Sequence, residues 1–98
     1  MSNEFRVRLL LALQSSLLGC ISSNIRAVSC SVVEENITVQ VIFDGHIADE
    51  DRGSMEKVGS EFASHFDHEL VNVECIRIDA PQPFYDRLLC LRVYERKE

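Results

Sequence analysis

The stretch from Ile25 to Phe43 constrains the fold more tightly than any other part of the chain. Ile25, Ala27, Ser29, Ser31 and Val33 alternate with Arg26, Val28, Cys30 and Val32; after Glu34-Glu35-Asn36 the pattern resumes, with Ile37, Val39, Val41 and Phe43 set against Thr38, Gln40, Ile42 and Asp44. A period of two sends successive side chains to opposite faces of a strand. Two such runs around a short polar turn predict an antiparallel hairpin. One face of that hairpin is apolar enough to need a covering layer, which the flanking segments have to supply.

Upstream, Phe5, Leu9, Leu13 and Leu17 recur at helical spacing with Leu10 beside them, while Arg6 and Gln14 point away. Ser2 or Asn3 suits the N-cap, Glu4 complements the positive helix end, and Gly19 suits the left-handed turn that stops a helix. The same stretch, RVRLLLALQSSLLGC from Arg6 to Cys20, also resembles a bacterial lipoprotein signal. A signal needs an apolar core of about 7–15 residues, whereas Leu9 to Leu13 is followed at once by Gln14, Ser15 and Ser16, and Glu4 sits in the flank that should be positive. The expectation is therefore a first helix of the fold.

Downstream, Asp44-Gly45 breaks the strand pattern, and Asp49, Glu50 and Asp51 place negative charge where a helix start favours it. Met55, Val58, Phe62, Ala63 and Phe66 form one apolar stripe of this second helix, with Glu56, Lys57, Ser60, Glu61 and Ser64 on the wet side. Gly53 and Gly59 each weaken it by up to about 1 kcal/mol relative to alanine. Val71 to Ile78 reads as a third strand whose alternation slips, which predicts a bulge or burial on both faces. Ala80-Pro81-Gln82-Pro83 forms a loop, and Arg87 to Tyr94 reads as a fourth strand buried on both faces along Leu88-Leu89-Cys90-Leu91. The expected fold is α+β, in the order α-β-β-α-β-β: a two-layer sandwich with both helices on one face of a four-stranded antiparallel sheet. Residues 1–98 form one domain, with no linker or low-complexity tract.

The net charge is −6, so a surface for nucleic acid or an anionic membrane is disfavoured, because phosphate binding draws on clustered lysine and arginine. No stretch approaches the roughly 20 apolar residues that span a bilayer. Cys20, Cys30, Cys75 and Cys90 form no Cys-x-x-Cys pair and lie within apolar segments, which suits free thiols used as small buried hydrophobes in a reducing, cytoplasmic setting.

Chemistry is sparse. His65-Phe66-Asp67-His68 offers two histidines three apart, but a structural zinc wants four convergent ligands and no second pair has ligand spacing, so no metal or other cofactor is expected. The histidines equally suit a helix C-terminus. No cysteine sits on a strained turn or at a helix start, and the glycines are isolated rather than gathered into a phosphate-binding loop, so the reading is non-enzymatic. What remains is acid: Asp44, Asp49, Glu50 and Asp51 with His46 among them, and Asp79 and Asp86 further along. Three of these are good residues for a helix start. The other reading is a docking surface whose carboxylates mimic nucleic-acid phosphates and steer a basic partner.

The runs Leu17-Leu18-Gly19, Asn24-Ile25-Arg26-Ala27-Val28, Phe43-Asp44-Gly45, Glu50-Asp51, Asp79-Ala80-Pro81-Gln82-Pro83 and Val93-Tyr94-Glu95-Arg96-Lys97-Glu98 resemble a group of small bacterial immunity proteins. These are encoded beside secreted or contact-delivered toxins, including those of contact-dependent growth inhibition. The resemblance implies a non-catalytic cytoplasmic protein that binds one cognate toxin domain, commonly a nuclease, and blocks its active site or its partner surface; the absence of nucleic acid and membrane as partners is expected from the charge and the short apolar stretches alone. Family members often carry serine where Ala48 stands, and its absence here shifts the expected helix cap to Asp49. Partner-binding residues on this reading are Asp44, His46, Asp49, Glu50, Asp51, Asp79 and Asp86. The alternative is a homo-oligomeric scaffold or adaptor, a homodimer built on the doubly apolar fourth strand.

Overall fold

The computed structural model describes residues 1–98. Helix α1 (Asn3–Leu17) is followed by β1 (Ile25–Val33), β2 (Asn36–Phe43), helix α2 (Asp49–Ala63), β3 (Leu70–Arg77), a single 3-10 turn at Tyr85–Arg87, and β4 (Leu91–Glu95). The predicted element order holds. The four strands lie in the order β3-β2-β1-β4.

The hairpin forms as expected, with Val33 paired to Asn36 and Glu34-Glu35 as the turn; Glu34 takes a left-handed φ of 56°. β1 also pairs antiparallel with β4. The sheet is nevertheless mixed and not antiparallel throughout, because β3 runs parallel to β2 in an unbroken register from Asn36↔Leu70 to Phe43↔Arg77. A parallel neighbour needs a crossover of a dozen or more residues, commonly a helix. Residues 44–69 are such a crossover, with α2 as its body.

The irregularities also fall elsewhere than predicted. β3 carries no bulge, whereas β1 has one at Arg26, where Ile25 pairs with Phe43 and Ala27 with Ile42. A bulge places two residues against one and re-aims side chains. Ile25 thereby joins Val28 and Cys30 beneath the helices, while Ala27 turns to the other face. The fourth strand is shorter than its apolar run suggests: it begins at Leu91, so Leu88, Leu89 and Cys90 lie outside it and Cys90 is exposed.

Both helices cover one face of the sheet. Leu9, Ala12, Leu13 and Leu17 from α1 and Met55, Val58 and Phe62 from α2 pack with Ile37, Val39, Val41 and Phe43 of β2 into one core. Each large side chain buried there contributes about 1.5–3 kcal/mol of transfer free energy. Ser2 caps α1 by accepting from the Phe5 amide at 3.2 Å. Gly59 earns its place in α2 by close approach: a Cβ there would lie 3.2 Å from Val73 Cγ2. The opposite face is covered in part by the segment joining β3 to β4, which crosses behind β2 and β1 and sets Ile78, Phe84 and Leu88 against Ala27 and Ile42.

Candidate functional site

The predicted site begins where β2 ends. Gly45 takes a φ of 79°, which turns the chain out of the sheet and aims its amide at Asp79 Oδ1, 2.7 Å away. Asp79 also accepts from Arg77 Nε at 2.9 Å and from Nη2 at 3.1 Å. Asp44 accepts from Arg96 Nη2 at 3.1 Å with one oxygen and from the Ala80 amide at 3.1 Å with the other. These two carboxylates therefore stitch the β2 exit to the β3 exit and to the chain end.

The stitching continues through Arg26, the bulge residue, which is only 2% exposed. Its Nε and Nη2 donate to the two oxygens of Glu98 at 2.8 Å each, and its Nη1 donates to the carbonyls of Ile78 at 2.7 Å and Gln82 at 2.9 Å. The guanidinium carbon also sits 4.6 Å from the centroid of the Phe84 ring. A guanidinium is the group for such a place, since its planar fork satisfies a bidentate carboxylate and still has donors left. Arg96 links both halves, donating to Glu98 at 2.9 Å and to the Ser23 carbonyl at 2.8 Å.

The titration behaviour follows from these bonds. Hydrogen bonds from Arg26, joined by Arg96, pull the Glu98 carboxyl down to about 2. Arg96 and the Ala80 amide lower Asp44, and Arg77 and the Gly45 amide lower Asp79. Burial pushes the Cys30 thiol up to about 12, which makes it an inert packing group, and pushes Cys75 up in the same direction. All four cysteines are free.

Asp49, Glu50 and Asp51 form the first turn of α2, Asp49 and Glu50 fully at the surface. None of the three makes a side-chain hydrogen bond or ion pair within the chain, and the amides of the helix start add positive potential beside them. The expected shift of the cap to Asp49 does not occur. Ala48 holds the N-cap position without any side-chain bond, and Asp49 is already helical. His46 is exposed between this turn and Gly45. Asp86 lies in the 3-10 turn of the crossing segment, on the face of the sheet away from α2. His65 and His68 lie past the end of α2, where the His65 carbonyl accepts from Arg8 at 2.6 Å. No three His, Cys, Asp or Glu side chains converge with ligand geometry.

Thus the structure brings Asp44 and Asp79 together as a clamp, sets His46 and the Asp49–Asp51 turn beside them in sequence with free carboxylates, and leaves Asp86 apart. One surface feature escaped the sequence reading: a shallow groove along α1, lined by Val7, Leu11 and Ala12 with Arg8 and His65. Val7 is 54% and Leu11 61% exposed. The signal for it was a surplus, since α1 carries more apolar residues than one stripe can bury.

Against family models, residues 6–98 match that of the MafI2 immunity protein. The chain belongs to the MafI2 immunity protein family. The match spans the clamp, the α2 start and the sheet together. Membership in MafI2 assigns a toxin-neutralising role exercised on a cognate toxin partner, and immunity families of this kind generally act without catalysis. No match was found among curated proteins. No helix of this MafI2 member is long and apolar enough to cross a membrane.

Proposed function

We propose that this immunity protein neutralises a basic toxin domain, a nuclease by class, through the turn from His46 to Asp51, and that it does so in the cytoplasm of the cell that makes the toxin. The observation that carries the reading is the trio Asp49, Glu50 and Asp51, which stands at the surface with no partner in the chain while the neighbouring Asp44 and Asp79 are consumed by arginines. The helix fixes the backbone beneath these free carboxylates, and they offer the phosphate-like charge that a nuclease cleft is built to receive. On this reading Asp44 and Asp79 take part indirectly, by fixing the turn, and Asp86 belongs to a second, separate patch. Delivery by contact between cells is the system that the sequence resemblance implies.

The scaffold alternative rested on a fourth strand buried on both faces, and it loses that support because Leu88 to Cys90 leave the sheet. The experiment is co-production of the protein with the toxin domain encoded next to its gene, scoring growth and one-to-one capture. Rescue together with capture supports the reading. Growth arrest with no captured complex contradicts it.

A further inference from the structure

The two edges of the sheet are unlike. β4 is five residues long, carries a bulge at Val93, and is followed by Arg96-Lys97, all features that blunt an edge. β3 is eight residues long, with no proline, lysine or bulge, and no strand pairs with its outer side. The Leu70 amide donates to Glu35 O and the Ile78 amide to Phe43 O, so the even-numbered residues of β3 turn their backbone groups inward. Backbone direction alternates along a strand, which leaves the amides and carbonyls of Val71, Val73, Cys75 and Arg77 facing outward.

We propose that two copies of this chain pair through this edge, antiparallel and centred on Val73, joining their sheets into one. In that register Val73 meets Val73 and Val71 meets Cys75 on the helix side. Leu70 meets Ile76 and Asn72 meets Glu74 on the other side, and Glu69 meets Arg77 at each end. Every cross-strand pair is thus apolar with apolar, amide with carboxylate, or acid with base, the combinations that stabilise antiparallel partners. Sliding the second copy by two residues one way sets Glu74 against Glu74 and Asn72 against Ile76; sliding it the other way sets Leu70 against Glu74. The pairing also accounts for Leu70, a large apolar side chain left 70% exposed. Beside the edge a groove of about 200 Å³, lined by Met55, Val73 and Cys75 with Arg52 and Glu56 at its rim, receives Val71 of the second copy. Arg77 keeps its bond to Asp79 and turns its remaining donor toward Glu69 of the other chain. This inference does not depend on the toxin reading, although Arg52 at the rim of the groove directly follows the Asp49–Asp51 turn which that reading uses.

The test is sedimentation of the full chain over a wide concentration range, for the native protein, Asn72→Glu and Asn72→Lys, with amide hydrogen exchange on the same samples. Asn72 is exposed and is not in either core, so both variants fold, and a circular dichroism melt checks it. The mass should rise from one chain to two. Asn72→Glu sets like charges opposite each other twice and should weaken the dimer about tenfold, while Asn72→Lys should tighten it. The amides of Val71, Val73, Cys75 and Arg77 should slow in step with the mass. A single-chain mass for all three proteins overturns the proposal, even if those amides slow when toxin is added, because the edge then serves the toxin. A dimer indifferent to residue 72, with the four amides exchanging fast, overturns it as well.

Discussion

Two groups of acids, one beginning at Asp44 and the other at Asp49, do opposite work. Asp44, with Asp79 and Glu98, is bound to arginines and backbone amides; Asp49, Glu50 and Asp51 are bound to nothing in the chain. The first group spends its charge holding three segments together: the β2 exit, the β3 exit and the chain end. The second keeps its charge for whatever approaches. The difference shows that an acidic run in a sequence is not yet a surface. Its meaning is set by which carboxylates the arginines reach, and here Arg26, Arg77 and Arg96 pair with Glu98, Asp79 and Asp44 while none pairs with the α2 start.

The comparison is sharpened first by Arg26→Met, which should cost about 2–4 kcal/mol in a urea melt, because it orphans two loop carbonyls and half of the Glu98 pairing. A loss below 1 kcal/mol would mean that the crossing segment is held by Phe84 and Leu88 alone. Next come Asp44→Asn and Asp79→Asn, each of which should lower Tm by a few degrees, since each takes an anionic partner from a hydrogen-bonded arginine. Acid should expose the same group. The folded carboxyls of Asp44, Asp79 and Glu98 sit below their ordinary values of 3.8 and 4.5, so their stabilisation is complete above those values. It is lost as the pH falls through the folded values, toward about 2 for Glu98. Glu98→Gln should flatten Tm against pH in that window, and an unchanged slope would break the assignment. The smallest effect on stability belongs to the free group: serine at Asp49, Glu50 and Asp51 together should shift Tm less than either Asp44→Asn or Asp79→Asn, because no bond within the chain is lost and the missing helix-start attraction is offset in part by relief of the net charge of −6.

Much of the fold was legible because it rests on local pattern. The hairpin follows from strict alternation between Ile25 and Phe43, and α1 from the Phe5-Leu9-Leu13-Leu17 stripe with Ser2 as its cap. The direction of β3 was not legible, since the alternation of a half-buried edge strand does not encode its direction and a helix between two strands can connect either a parallel or an antiparallel pair. Nor was the bulge, which hides in the alternation as one extra residue, Arg26, and carries the most buried charge in the molecule. Leu88-Leu89-Cys90 misled because an apolar run beside prolines can cover a sheet as well as join it. The candidate site was half legible: the α2 start could be read from three adjacent acids, but the fate of Asp44 depends on Ala80 and Arg96, 36 and 52 residues away.

The most direct test of the division between bound and free acids is association kinetics with the cognate toxin domain at low and at physiological salt. It takes three proteins: the native chain, Asp49→Ser/Glu50→Ser/Asp51→Ser, and Asp44→Asn. The account predicts that the triple variant associates at least tenfold more slowly at low salt and loses most of its salt dependence, with Tm little changed. Asp44→Asn should associate like the native chain while melting earlier. The reverse pattern, with association slowed by Asp44→Asn and untouched by the triple variant, would contradict it.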